Sequence, residues 1–344
     1  MTGKGKVKFP SELRYDLVSK NWVVIATGRA KRPETFKKER RRVDQVSKKK
    51  CPFCNLASQE KPTLIYVKGR SAPLTTIPDD WTAAVIPNKY PAFIPSKKLE
   101  RRQEGNFYQT INAVGFHEVV LSRDHQKSLG QFTPEEVKEM IDVYQDRYLA
   151  LKDKTFVSYI SIFHNHGQEA GASIAHPHSQ IITTPLIDVD LRNALNNARD
   201  YSLAHKECIY CQMNKWEARV QKRVVFENEG FLVVCPFASK SAFQMIISPK
   251  KHLAYFERAD DEEKRQFAEA FGAALKKLHK GLADPAYNFY MHTAPCDDQE
   301  DYFYYHWHWT ILPKTATWAG FELGAGIEIS TIEPERAAQY LKKQ

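Results

Sequence analysis

Short apolar, β-branched runs alternate with two long segments of helical periodicity along the chain. Trp81 to Phe93, Gly115 to His125 and Val157 to Phe163 read as strands, and so do Phe231 to Ala238, Ala242 to His252 and Tyr287 to Met291. Thr133 to Lys152 and Asp260 to Lys280 read as helices. Thr133 is an N-cap followed by Pro134 at the first helical position and by Glu135 and Glu136 in the first turn. Asp260 to Glu263 gives the second helix a similar acidic entry. Strands with a helix set among them predict an α+β unit.

The pattern occurs twice in the same order. In the first copy Cys51-Pro-Phe-Cys54 precedes the strands and helix, and His176-Pro-His178 closes it. In the second, Cys208-Ile-Tyr-Cys211 and His306-Trp-His308 stand at the same places. Features that recur in order along both halves point to duplication. The boundary falls between Pro185 and Asn197, giving units 1–190 and 191–344.

A length of 344 residues allows two domains, and 42% hydrophobic residues with 12% aromatic exclude a disordered chain. No apolar run is long enough to cross a bilayer, and Met1 to Pro10 lacks the apolar stretch of a secretory signal. A cytoplasmic protein is expected. The net charge of +9 favours anionic partners, nucleotides and sugar phosphates among them. Much of the excess sits between Lys37 and Lys50, which reads as a solvated loop without the aromatic residues a base-stacking surface needs.

Four of the six cysteines form two tight pairs, which in a reducing compartment favours metal over disulfides. Cys235 and Cys296 read as buried small hydrophobes. A Cys-x-x-Cys turn brings two sulfurs to one ion, and two later histidines complete a tetrahedral zinc set. These are His125 and His176 in the first copy, and His252 and His306 in the second, so two zinc ions are expected. The ligand spacing differs between the copies. His117, His164, His166, His205 and His279 read as ordinary histidines, and His292 and His308 as further ligands or lining groups.

The segment His176-Pro-His178-Ser-Gln180 carries the most chemistry. If it is extended, residues 176, 178 and 180 share one face, and Pro177 places them at an edge or a strand end. A neutral imidazole is a good nucleophile toward phosphorus, provided one ring nitrogen is held as a donor. His178 takes that part, and Gln180 offers an amide N–H to a phosphoryl oxygen. Gly167 to Ser173 supplies small residues that let backbone N–H groups approach a phosphate. Both histidines could instead serve only as ligands. Against this, the second copy has Thr310 in place of Gln180 and lacks the small-residue loop.

Together with Asn165, Gly171-Ala-Ser173, Arg29-Ala-Lys-Arg32-Pro, Asn88-Lys-Tyr-Pro91, Ser122-Arg-Asp-His125 and Gly320-Phe-Glu322, this segment resembles the galactose-1-phosphate uridylyltransferase family, within the histidine-triad superfamily. The resemblance spans nearly the whole chain. It implies two tandem histidine-triad-like units forming one extended, mainly antiparallel sheet flanked by helices. It also implies a homodimer, acting on a nucleotide sugar and a sugar phosphate by ping-pong transfer through a uridylyl-histidine at His178. The family's zinc ligands fall on Cys51, Cys54, His125 and His176. Its nucleotide contacts fall on Arg29, Arg32, Asn88 and Asn165, in some members with the arginines reaching across a dimer interface. Phosphate contacts fall on Gly171, Ser173 and Gln180, and hexose contacts on Phe321 and Glu322. Two positions depart from the family pattern: Glu328 stands where some members have glutamine, and Ala316 where they have lysine. A related branch, ADP-glucose phosphorylase, shares the second Cys-x-x-Cys with histidines like His252 and His306, and a segment like Gly320 to Gly326. It passes AMP from a histidine to phosphate. A histidine-triad hydrolase and a zinc-stabilised nucleic-acid binder are the remaining alternatives.

Overall fold

The computed structural model describes residues 11–26, 47–297 and 299–344. Strands β1 (Ser11–Tyr15) and β2 (Trp22–Ala26) pair with each other, and β2 also pairs in parallel with β16 (Ile329–Ser330). The first half then contributes β3 (Leu64–Val67), β4 (Arg70–Ser71), β5 (Ala83–Pro87), β8 (His117–Ser122), β9 (Tyr159–His166) and β10 (His178–Thr184). Between β5 and β8 lies a separate exposed hairpin, β6 (Arg101–Glu104) with β7 (Tyr108–Ile111). The second half contributes β11 (Val224–Glu227), β12 (Phe231–Val234), β13 (Met245–Pro249), β14 (Tyr287–His292) and β15 (His308–Pro313). Helices α1 (Pro134–Lys152), α2 (Val189–His205), α3 (Ile209–Val220), α4 (Asp261–Leu282), α5 (Gly320–Ala325) and α6 (Pro334–Lys342) complete the chain.

Eleven of the described strands form one antiparallel sheet in the order β11-β12-β13-β15-β14-β9-β10-β8-β5-β3-β4. Read outward from the central pair, β9-β10-β8-β5-β3 mirrors β14-β15-β13-β12-β11. The halves join where β9 and β14 pair, Asn288 opposite Asn165 and Tyr287 opposite His166. The segment between residues 185 and 197 runs from the end of β10 into α2.

Both long helices begin as their sequences predict. The Thr133 hydroxyl accepts the Glu136 N–H while Glu136 accepts the Thr133 N–H, and Asp260 with Glu263 repeats the box. α1 and α4 bury their apolar stripes on one face of the sheet, where Tyr144, Phe267, Phe271, Trp307 and Trp309 are almost wholly enclosed. Each such side chain contributes roughly 1.5–3 kcal/mol by leaving water. Strand alternation decides which residues go there. In β10, Ser179 and Ile181 face the helices, with the Ser179 hydroxyl 2.7 Å from that of Tyr144. His178 and Gln180 therefore emerge on the opposite face, next to Leu121 and Val119 of β8. Among the described residues, no helix is long and apolar enough to cross a membrane.

Candidate active site and metal centres

Two clusters of four side chains form at matching places in the halves: Cys51, Cys54, His125 and His176, and Cys208, Cys211, His252 and His306. Within each, the four ligand atoms lie within 4.8 Å of one another. In the first, Cys54 Sγ is 3.1 Å from His125 Nδ1 and 3.6 Å from His176 Nδ1, and Cys51 Sγ is also 3.6 Å from His176 Nδ1. In the second, Cys211 Sγ lies 3.4 Å from Nδ1 of both His252 and His306. Each cluster could hold a metal ion. The imidazoles are already oriented for it: His176 Nε2 donates to the Ser122 carbonyl at 2.8 Å, and His306 Nε2 to the Pro249 carbonyl at 2.9 Å. Such bonds leave Nδ1 as the lone-pair nitrogen.

Ser122 ends β8 and Pro249 ends β13, and each is followed three residues later by the other histidine of its cluster, His125 or His252. The unequal ligand spacing thereby acquires a cause. Cys54 and His125 are 71 residues apart, Cys211 and His252 only 41, and the β6–β7 hairpin sits in the longer interval. An insertion outside the sheet leaves the ligand geometry intact.

β-pairing starts at His178 rather than at Ile174, so Pro177 stands just before the end of a central strand. His176 turns inward to the cluster and is fully buried, whereas His178 is half-buried on the open face. The His178 Nδ1–H donates to the His176 carbonyl at 2.9 Å, which leaves Nε2 with its lone pair. Burial pushes the His178 pKa below its ordinary value, partly offset by that hydrogen bond, so the ring stays neutral at neutral pH. Phe53, within the Cys51–Cys54 turn, lies edge-on to His178 with ring centroids 5.1 Å apart. The Cys51–Cys54 turn thus buttresses the imidazole beside it.

The small-residue loop folds into a tight turn, with the Ala170 and Ala172 N–H groups both donating to the Gly167 carbonyl. Gly167 and Gly171 have φ of 87° and 90°, a region only glycine adopts freely, on either side of the short turn Gln168–Ala170. A polar crevice lined by Asn165, Gly167, Ser173 and His176 opens there. Asn165 is held from the other half of the chain: Asn288 Nδ2 donates to Asn165 Oδ1 and to the Ala170 carbonyl, both at 2.8 Å. Nothing in the sequence pattern marks Asn288, because its partner is set by the β9–β14 seam.

Asn88 also reaches this face, its Nδ2 3.5 Å from Gln180 Oε1. Between them stands His117, which reads as an ordinary histidine in the sequence. Its Nε2 lies 2.7 Å from Gln180 Oε1. Phe321 and Glu322 sit on the short helix α5, Phe321 exposed and Glu322 capping the helix by accepting the Ala319 N–H. Among the described residues, no hydrogen bond links them to His178. Glu328 is buried and paired with Lys240 at 3.2 Å. Arg29 and Arg32 lie outside the described residues, as does most of the basic run; its end, Lys48 to Lys50, is exposed.

The second half repeats the scaffold with different contents. His308 Nδ1 donates to the His306 carbonyl at 3.1 Å, and Tyr210 replaces Phe53 against it with centroids 5.3 Å apart. His308, however, is buried against His292, their rings stacked at 4.8 Å, and Thr310 stands where Gln180 would be. One half presents an accessible imidazole and the other seals its counterpart inside.

Residues 6–187 match the family model for the N-terminal domain of galactose-1-phosphate uridyl transferase, and residues 194–342 that for its C-terminal domain. ADP-glucose phosphorylase of Arabidopsis thaliana is 32% identical over 96% of this chain and 92% of its own. Galactose-1-phosphate uridylyltransferase of Thermotoga maritima is 27% identical over 96% and 98%. The crystal structure of an Arabidopsis thaliana ADP-glucose phosphorylase with bound ADP-glucose superposes with a TM-score of 0.79 at 29% identity, covering 97% of this chain and 99% of that one.

Proposed function

The chain belongs to the galactose-1-phosphate uridyl transferase family, and from that premise we propose that His178 carries a nucleoside monophosphate between a nucleotide sugar and an acceptor. The observation that carries the reading is the His178 imidazole itself, with Nδ1 fixed on the His176 carbonyl so that Nε2 keeps its lone pair. In the first half-reaction Nε2 attacks the α-phosphorus, the bond from that phosphorus to the bridging oxygen breaks, and the sugar 1-phosphate leaves. In the second, an acceptor phosphate oxygen attacks the same phosphorus and the N–P bond breaks, restoring His178. Gln180 donates its amide N–H to the phosphoryl oxygen that gains charge, and Gly171 and Ser173 offer further donors. Asn88, Asn165, Arg29 and Arg32 bind the nucleotide, and Phe321 and Glu322 the hexose. Cys51, Cys54, His125 and His176, and Cys208, Cys211, His252 and His306, hold zinc, which stiffens the turns against which the catalytic imidazole and its counterpart rest. The reading includes a homodimer in the cytoplasm.

The family supports UDP-glucose as donor and galactose 1-phosphate as acceptor. A second reading, adenylyl transfer from ADP-glucose to inorganic phosphate, is favoured by the higher identity to the Arabidopsis thaliana phosphorylase, 32% against 27%. Intact-mass spectrometry after incubation with each nucleotide sugar separates them. A UMP adduct discharged by galactose 1-phosphate supports the first, and an AMP adduct discharged by phosphate the second. No adduct with either donor sinks the proposal.

A further inference from the structure

We infer that His117 is a positioning residue for Gln180, holding its side-chain amide with the N–H groups free for the phosphoryl group on His178; this rests on the reading above. His117 lies on β8 opposite Ile182 of β10, which makes it the diagonal neighbour of Gln180 on the face that carries His178. The loop after β5 folds back over it: the Asn88 N–H donates to the His117 carbonyl at 2.8 Å, and the Ala92 N–H donates to His117 Nδ1 at 3.1 Å. A backbone N–H can only donate, so Nδ1 is the lone-pair nitrogen and the neutral ring carries its proton on Nε2. That Nε2–H points at Gln180, 2.7 Å away, so the atom it meets is the amide oxygen.

Asn88 is fixed in the same sense. Its Oδ1 accepts the Tyr90 N–H at 2.9 Å, which leaves Nδ2 facing His117 Nε2 at 3.0 Å and Gln180 Oε1 at 3.5 Å. Two N–H groups cannot bond each other, so both are directed at the one acceptor, Gln180 Oε1. The whole chain of bonds, from the Ala92 N–H through the imidazole to the amide oxygen, has a single consistent arrangement. Gln180 Nε2 takes no part in it among the described residues, and its two N–H groups remain for a ligand. In the second half Thr310 replaces Gln180 and Ile246 of β13 pairs with it, where Val119 pairs with Gln180. The device belongs only to the half that presents an accessible imidazole.

The test uses the full chain and the rate of nucleotidyl-adduct formation in single turnover, with UDP-glucose and ADP-glucose as probes. His117→Asn keeps an acceptor near the Nδ1 position, so the Ala92 loop stays anchored, but it is too short to reach Gln180. His117→Gln places a donor near the Nε2 position. We expect His117→Asn to slow adduct formation about 10- to 100-fold, the scale on which misplacing a reacting contact acts. Metal content should be unchanged, and His117→Gln should recover most of the rate. In a Gln180→Ala background, His117→Asn should cost nothing further, because the group it positions is gone. Full speed in His117→Asn, no recovery in His117→Gln, or an equal further loss beside Gln180→Ala would each overturn the inference. Absence of an adduct on the unsubstituted protein would instead overturn the parent reading and this one with it.

Discussion

The imidazole of His178 hangs from the backbone of His176: the Nδ1–H of one donates to the carbonyl of the other across 2.9 Å, while the side chain of His176 turns the opposite way, into the cysteine cluster. The proposed nucleophile and the proposed metal ligand are thereby separated by one proline and held by one stretch of backbone. Replacing the nucleophile should leave the ligand in place. His178→Gly and His178→Asn are expected to lose nucleotidyl transfer by about four orders of magnitude or more, as loss of a catalytic nucleophile does. Zinc content and thermal midpoint should stay near those of the parent. Elemental analysis beside the activity assay checks both halves of this statement, and retained activity would remove His178 from the mechanism.

In the proposed mechanism Gln180 acts later than binding. Its amide meets charge that develops on the phosphoryl oxygens as the bond to the leaving group breaks, so it favours the transition state over the bound donor. Gln180→Ala should therefore lower kcat about 100-fold with KM little changed, the size seen when one donor to a developing oxyanion is removed. Steady-state kinetics with the preferred donor separate the two constants. A rise in KM at constant kcat would show that the residue binds substrate and does nothing more.

The two cysteine–histidine clusters sit in different halves and share no ligand. Native protein should contain two zinc ions per chain. Cys54→Ser should remove only the ion beside His178 and depress activity, because the Phe53 turn that supports the imidazole loosens with it. Cys211→Ser should remove only the other ion, lowering stability more than turnover. Elemental analysis of each variant reads the stoichiometry directly, and one ion in the native protein would refute the duplicated-site account.

Much of this was legible in the chain. Thr133 and Asp260 announced their helices through local chemistry, a cap and an acidic first turn, which needs no knowledge of the fold. The membership of the two cysteine–histidine clusters could be read because each half repeats its Cys-x-x-Cys and its histidines in order. What stayed hidden depends on strand register. His117 looks ordinary until β8 and β10 are paired and it falls diagonal to Gln180. Asn288 acquires meaning only when β14 meets β9 and brings it to Asn165. His308 shares its flanking pattern with His178, and only three-dimensional packing against His292 and Tyr210 shows that it is enclosed.

Glu335 ties β1, near the start of the described chain, to α6, near its end. Glu335 of α6 accepts from Arg14 of β1 at 2.9 Å and from Arg223, just before β11, at 2.6 Å. Both guanidinium groups lie over the ring of Phe237, at 4.6 and 5.2 Å from its centroid. Burial alone would raise the Glu335 pKa, but the hydrogen bonds from Arg14 and Arg223 outweigh it and hold the carboxyl below its ordinary 4.5. A carboxyl depressed in the folded state contributes stability above its unfolded pKa and loses that contribution as pH falls through the folded value. Glu335→Gln should therefore destabilise the protein by about 2 kcal/mol, the scale for a hydrogen bond to a charged group. The gap in thermal midpoint between parent and variant should be constant from neutral pH down to about 5 and should close below 4.5, where the parent's own carboxyl becomes protonated. Loss of any bound metal in acid would affect both proteins alike and drop out of the comparison. A gap that persists undiminished to pH 3 would mean that Glu335 stabilises through its shape and packing, and that the charge it places between two arginines contributes nothing.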